Sequence, residues 1–372
     1  MQNLGGRVSG IALETIQGEQ SASRVSAGRT IFWLAGAAFA AMAVLQAADA
    51  FGTISIGFSN WRPTLYAFAA FGVALGVSQV LVLGEIGRQR AFILPALLFT
   101  AAMVIFPTVF GLYMAFTDWN LNAQSGHRFN GFDNLRTLAQ DPYFWNALGN
   151  MAFYVGTVLI QYVIGFGLAL LLNADIRARK FFRVSFLHPF MLSPVAVSWM
   201  IGKSIMENRF GPLATFARYL GWENPAFFTS PWVARTSIAI MDSWVWIPFI
   251  VILLLAGLQA MPTEVKEAAK VDGAGPWQTF WEITFPLMLP VSLTAIVLRI
   301  IFELKLADIV INVTSGGPGG ATDTISSFIY REYRDRSNVG YGTMIAEVYL
   351  VIIIVFVSLL LKLAGSRMRR VT

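Results

Sequence analysis

Glu264-Val265-Lys266-Glu267-Ala268-Ala269-Lys270-Val271-Asp272-Gly273-Ala274-Gly275-Pro276, running on to Ile283-Thr284-Phe285-Pro286, is the longest polar interval between two strongly apolar spans in the C-terminal half. It reads as two short helices joined by a tight bend. Thr263 is placed to cap the first, with Glu264 near its positive end. Gly273 and Gly275 allow backbone angles that other residues resist, and Pro276 suits the first turn of the second helix. Pro286 is expected to end that helix before the chain re-enters the membrane. A compact charged knob fixed to two membrane helices is suited to passing force to a soluble partner.

The rest of the chain supplies the membrane. Apolar residues make up 56% of 372 positions and charged residues 13%, about half the charged share of a soluble domain. There is no Cys, which excludes disulfides and thiolate metal sites. The net charge of +6 sits largely beside apolar spans, where it sets topology rather than binding nucleic acid. Eight stretches are apolar enough to span a bilayer: about 31–48, 64–83, 91–116, 150–172, 184–206, 235–258, 287–311 and 344–363. With both termini cytoplasmic, fifteen Lys and Arg fall inside and eight outside, which puts Glu267 in the cytoplasm. Residues 1–30 read as a disordered cytoplasmic tail. The first span reads as retained, with Ala48-x-Ala50 the place where a leader would be cut.

Glu267-Ala268-Ala269, Asp272-Gly273-Ala274 and Ile283-x-Phe285-Pro286 resemble the EAA signature of permease subunits of bacterial binding-protein-dependent ABC importers. The family more often carries Leu at the position of Phe285. The likeness to sugar permeases extends over about 92–363, through Phe92-Ile93-Leu94-Pro95, Phe210-Gly211-Pro212, Asp242-Ser243-Trp244-Val245-Trp246 and Gly316-Gly317-Pro318.

The resemblance implies an all-α polytopic membrane protein of about eight transmembrane helices with the type I importer permease fold. Two additional N-terminal helices, 31–83, precede a core at 84–372 that carries the coupling loop, 262–286. It implies residence in the bacterial inner membrane, a second permease of different sequence, two copies of a cytoplasmic ABC ATPase and a periplasmic sugar-binding protein. ATP and Mg belong to those ATPases, and this chain binds no cofactor. Glu264, Glu267, Ala268, Ala269, Asp272, Gly273 and Ala274 are the expected ATPase-coupling residues. The Gly316–Gly320 segment is expected as a re-entrant or docking region, with a plain flexible turn as the alternative. No Walker loop is present, because Gly202-Lys203-Ser204 has Val197 where the earlier glycine belongs.

Ionisable residues within spans are costly and point to function. Asp242 lies on the sixth span, and Arg299, Glu303 and Lys305 on the seventh; Arg299 and Glu303 are one helical turn apart. A structural ion pair holding two helices is the plain reading. Counting from the loop, the resemblance implies substrate contacts at Asp242, Val245, Trp246, Phe249, Arg299, Phe302 and Glu303. Aromatic faces and charged hydrogen-bonding groups suit a carbohydrate. Arg299 and Glu303 replace uncharged residues of a relative, which leaves open an anionic sugar or a displaced site. Two other functions compete: an ion-gradient-driven secondary transporter using Asp242 and Glu303, and a membrane enzyme. No internal inverted repeat supports the first. His127 and His188, without a metal spacing or nucleophile motif, offer little to the second.

Overall fold

The computed structural model describes residues 21–50, 56–58, 60–123, 126–177 and 179–368. The chain divides into two compact units, Met1–Phe110 and Gly111–Thr372.

In the first unit, α1 (Ala22–Ala50) begins inside the stretch expected to be a tail, most of which lies outside the described residues. The second helix, α2 (Arg62–Ala115), has 54 residues; straight, it would measure about 81 Å, far beyond a hydrocarbon core. It is not straight. Gly84, at φ 57° and ψ −121°, breaks it, a conformation closed to side chains bearing a Cβ. The halves then fold back, so that Gly72 lies against Leu98 and Gly76 against Leu94. The second and third expected spans are thus an antiparallel hairpin. Phe32 and Phe39 of α1 pack on Phe71, and Gln46 closes the α1 end by bonding both backbone groups of Phe58.

The second unit holds the remaining spans. After α3 (Asp133–Gln140) comes α4 (Pro142–Asn173), capped by Asp141, whose carboxylate accepts from Tyr143 N–H at 2.8 Å. The fifth expected span, 184–206, is no straight helix. It comprises α5 (Arg179–Leu187), a 3₁₀ turn (His188–Met191), α6 (Pro194–Val197) and a π-helical stretch (Ser198–Ile205), with a 97° bend between its limbs. Pro189 and Pro194 flank the break and deny the backbone the donors that a continuous helix needs. After α7 (Pro212–Tyr219), α8 (Pro231–Ala260) runs parallel to α4, with Phe153 on Trp232, Gln161 on Asp242 and Gly165 on Ile250.

The knob follows as α9 (Thr263–Val271) and α10 (Pro276–Thr279). Three sequence expectations need correction here. Pro262 occupies the cap position and Thr263 is the first helical residue, so no side chain caps α9. Gly275 is extended rather than left-handed. Pro286 ends nothing: a π turn, Phe280–Thr284, passes directly into α11 (Phe285–Glu303), with Phe285 N–H donating to Phe280 O. The wider turn accommodates a ring that a regular helix would exclude. The seventh span therefore runs 276–303 rather than 287–311. Lys305 falls in the turn after it, before α12 (Asp308–Val313), α13 (Ile325–Arg334) and the last span, α14 (Val339–Met368).

Among the described residues, six helices are long and apolar enough to cross a membrane, and the bent limb pair would add another. With α2 counted as two limbs, the eight expected spans are accounted for, in altered form.

Candidate functional site

Positions 242, 245, 246 and 249 share one face of α8, and 299, 302 and 303 share one face of α11. These faces meet, because α11 packs antiparallel to α8, with Met288 and Val291 against Gly257 at one end and Arg299 against Asp242 at the other.

The charged members form a closed cluster. Arg299 is 0% exposed, and Asp242 and Glu303 are each 1% exposed. Nη2 of Arg299 is paired with Asp242 Oδ2 and with Glu303 Oε2. Gln161 of α4 completes it: its Oε1 accepts from Arg299 Nε at 2.8 Å, and its Nε2 donates to Asp242 Oδ2 at 3.0 Å. Three helices are thereby joined around one guanidinium. Arg299 Nη1 and Glu303 Oε1 have no hydrogen-bond partner.

The aromatic members form a second group. Trp246 stacks on Phe302, with ring centres 4.7 Å apart, and meets Phe249 edge-on at 5.8 Å. Phe190, from the turn beside the break in the fifth span, packs on both Trp246 and Phe249. Trp246 links the groups, since the Arg299 guanidinium carbon lies 4.9 Å from its ring centre, within cation–π range. Phe190 and Phe302 are more than a third exposed, while Val245 is buried.

All seven sequence-derived positions therefore fall in one region, divided between a buried clasp and a partly open aromatic surface. Gln161 and Phe190 were missed. An amide within an apolar span was the available signal for Gln161; for Phe190 it was the adjacent Pro189, in the Pro189-Phe190-Met191 stretch that resembles the family.

The coupling residues gather on the knob. Glu264 and Glu267 are exposed on α9, Ala268 is exposed and Ala269 buried. Gly273 takes φ 77° just past the α9 C-terminus. Its N–H donates to Lys270 O and that of Ala274 to Ala269 O, the paired bonds of a Schellman motif, with Asp272 at the cap. Val271 and Trp277 project into the surroundings at 87% and 75% exposure.

The Gly316–Gly320 segment is no plain flexible turn. Gly320 O accepts from Asn146 and Asn150, Ala321 O from Arg235, and Thr322 Oγ1 donates to Gly317 O. Thr322, Asp323 and Thr324 are buried, and Asp323 pairs with Arg331.

Comparison with known proteins agrees with this architecture. Residues 142–370 match the family described as "Binding-protein-dependent transport system inner membrane component". The sulfoquinovosyl glycerol transport system permease protein SmoG of Agrobacterium fabrum is 32% identical over 261 residues, covering 68% of this chain and 82% of that protein. The trehalose/maltose transport system permease protein MalF of Thermococcus litoralis is 32% identical over 276 residues, 74% of this chain and 92% of that one. A crystal structure of a bacterial ABC transporter involved in alginate import superposes with a TM-score of 0.64 at 24% identity, over 76% of this chain and 96% of that chain, and shares its fold. Those relatives are transport subunits and not enzymes, and with its helical fold this chain belongs to the family of binding-protein-dependent transport system inner membrane components.

Proposed function

We propose that this chain is a translocation-path subunit of an ATP-driven importer of a carbohydrate or related polyol, neutral or anionic. The observation that carries the reading is the uninterrupted helical run from Pro276 to Glu303. One end is an exposed, tightly capped knob, and the other enters the clasp and the aromatic surface. Such an element can tie events at a cytoplasmic ATPase to a path between helices. Two relatives are named for glycoside cargo, which supports a sugar.

Arg299 already faces two carboxylates, so it offers no unmatched positive charge to an anionic sugar. Partly exposed aromatic rings offer apolar faces to sugar C–H surfaces.

In this reading Glu264, Glu267 and their neighbours through Ala274 dock on one of two ATPase copies, which bind ATP and Mg. A second permease, of different sequence, completes the path, and a periplasmic binding protein delivers the sugar. Both termini are cytoplasmic in the bacterial inner membrane. Helices within 31–83 lie outside a permease core of 84–372. Ligand-biased exchange between two states moves the cargo.

Gentle affinity purification from membranes tests the assembly: a further permease and two ATPase copies are expected. Recovery of a stable chain without any ATPase would favour an ion-gradient-driven transporter instead. Uptake of a panel of radiolabelled neutral and anionic sugars by a strain lacking this chain tests the cargo.

A further inference from the structure

Arg299 has no open approach in this conformation. It is 0% exposed, Nε and Nη2 are occupied by Gln161, Asp242 and Glu303, and Trp246 lies over the guanidinium. Nor is the cluster well made for stability. Buried ion pairs are often matched or bettered by apolar side chains of similar volume, and this one leaves Arg299 Nη1 and Glu303 Oε1 unpartnered. What the cluster does supply is direction. Gln161 accepts from Nε at 2.8 Å while holding Asp242 at 3.0 Å, so the plane of the guanidinium is fixed from two sides. That cation sits 4.9 Å from the Trp246 ring centre, and Trp246 stacks on Phe302 and packs on Phe190 and Phe249.

We propose that Arg299 is a positioning residue: held by Gln161, it sets the Trp246 ring and thereby the surface of Phe190, Phe249 and Phe302. That this surface receives a sugar rests on the importer reading above; the positioning does not. Gln161 is the part most easily tested, because it is 0% exposed and lies on α4, whereas Trp246 is on α8.

The chain contains no Cys, so Phe249→Cys introduces one thiol beside Trp246. Its rate of reaction with methyl methanethiosulfonate, followed by intact-mass measurement on the full complex in membranes, reports how tightly Trp246 is held. Added Gln161→Leu or Arg299→Met should each speed labelling by about fivefold or more, a coupling of ordinary size for residues in one network. Together they should be no faster than the quicker single change, because both act through one guanidinium. Gln161→Met, which keeps the length of the side chain and loses both of its hydrogen bonds, should speed labelling in the same way.

Unchanged labelling in Gln161→Leu beside a change in Arg299→Met would overturn the proposal. So would rates that multiply in the double variant, or slow labelling in Gln161→Met. Should Gln161→Leu fail to accumulate in membranes, Gln161→Met decides the matter. Protection of the same thiol by maltose or trehalose is scored separately; without protection by either sugar the cargo reading weakens, while the labelling rates still judge the clasp.

Discussion

The guanidinium carbon of Arg299 lies 4.9 Å from the centre of the Trp246 ring, so one side chain belongs to both halves of the site. Its charge is also matched unequally, one cation to two carboxylates, and that inequality has a thermodynamic signature. Asp242→Asn leaves Arg299 its Glu303 partner, and Glu303→Gln leaves it Asp242. Arg299→Met leaves two buried carboxylates with no cation. Removing a lone partner from a buried pair costs about 3–5 kcal/mol. Thermal unfolding of the detergent-solubilised protein should therefore show Arg299→Met as much the most damaging of the three. Equal losses from all three would contradict this pairing.

The knob depends on one left-handed residue. Gly273 has φ 77° and closes α9 through two backbone bonds. A β-branched side chain there is strained by roughly 1–3 kcal/mol, which reshapes the turn without touching the membrane helices. Gly273→Val should leave the chain abundant in membranes and sharply reduce ATPase recovery on affinity purification. Full ATPase recovery would mean that the turn is not part of the docking surface.

Asn150 is buried and donates to Gly320 O at 3.0 Å and to Asp323 O at 2.9 Å. Asn150→Leu takes the Asn150 donor from the buried Asp323 carbonyl, at about 1–3 kcal/mol, while Gly320 O keeps its bond from Asn146. Limited proteolysis should then cut the 314–323 segment at least several times faster than in the parent, while cleavage elsewhere stays unchanged.

Glu332, on α13 outside the spanning helices, is 1% exposed and pairs with Arg336. Burial pushes its carboxyl above the ordinary value, against the opposing pull of Arg336. A carboxyl raised in the folded state contributes stability below its unfolded value, and that contribution is lost as pH rises through the folded value. Glu332→Gln removes the titration, and Arg336, whose side chain is half exposed, remains hydrated. Relative to the parent, the variant should gain in melting temperature as pH is raised from about 4 to 7. A difference that stays flat across this range would exclude the effect.

Much of the site was legible because helical spacing survives in sequence. Asp242 and Trp246 are one turn apart, as are Arg299 and Glu303, so each pair must share a face. The knob was legible from its polar interval and from Gly273. What escaped were departures from the regular helix. A period of 3.6 residues gives no notice of the π turns at 198–205 and 280–284, so from sequence Pro286 reads as a terminator and the fifth span as straight, without its 97° break. Phe190 reaches Trp246 only because of that break. Gln161 carries no charge, and its role depends on a partner 138 residues away.

The π turn before Phe285 has a mechanical corollary. Without an interruption between Trp277 and Glu303, the segment behaves as a crank rather than a tether. Arg299 stands fourteen residues beyond Phe285, about 21 Å along the axis. A tilt of about 10° at that pivot sweeps the guanidinium through roughly 4 Å, more than a hydrogen bond can stretch. Any such stroke delivered at the knob must therefore either take α4 and α8 along or unfasten Gln161 and Asp242 from Arg299, and the second outcome frees Trp246.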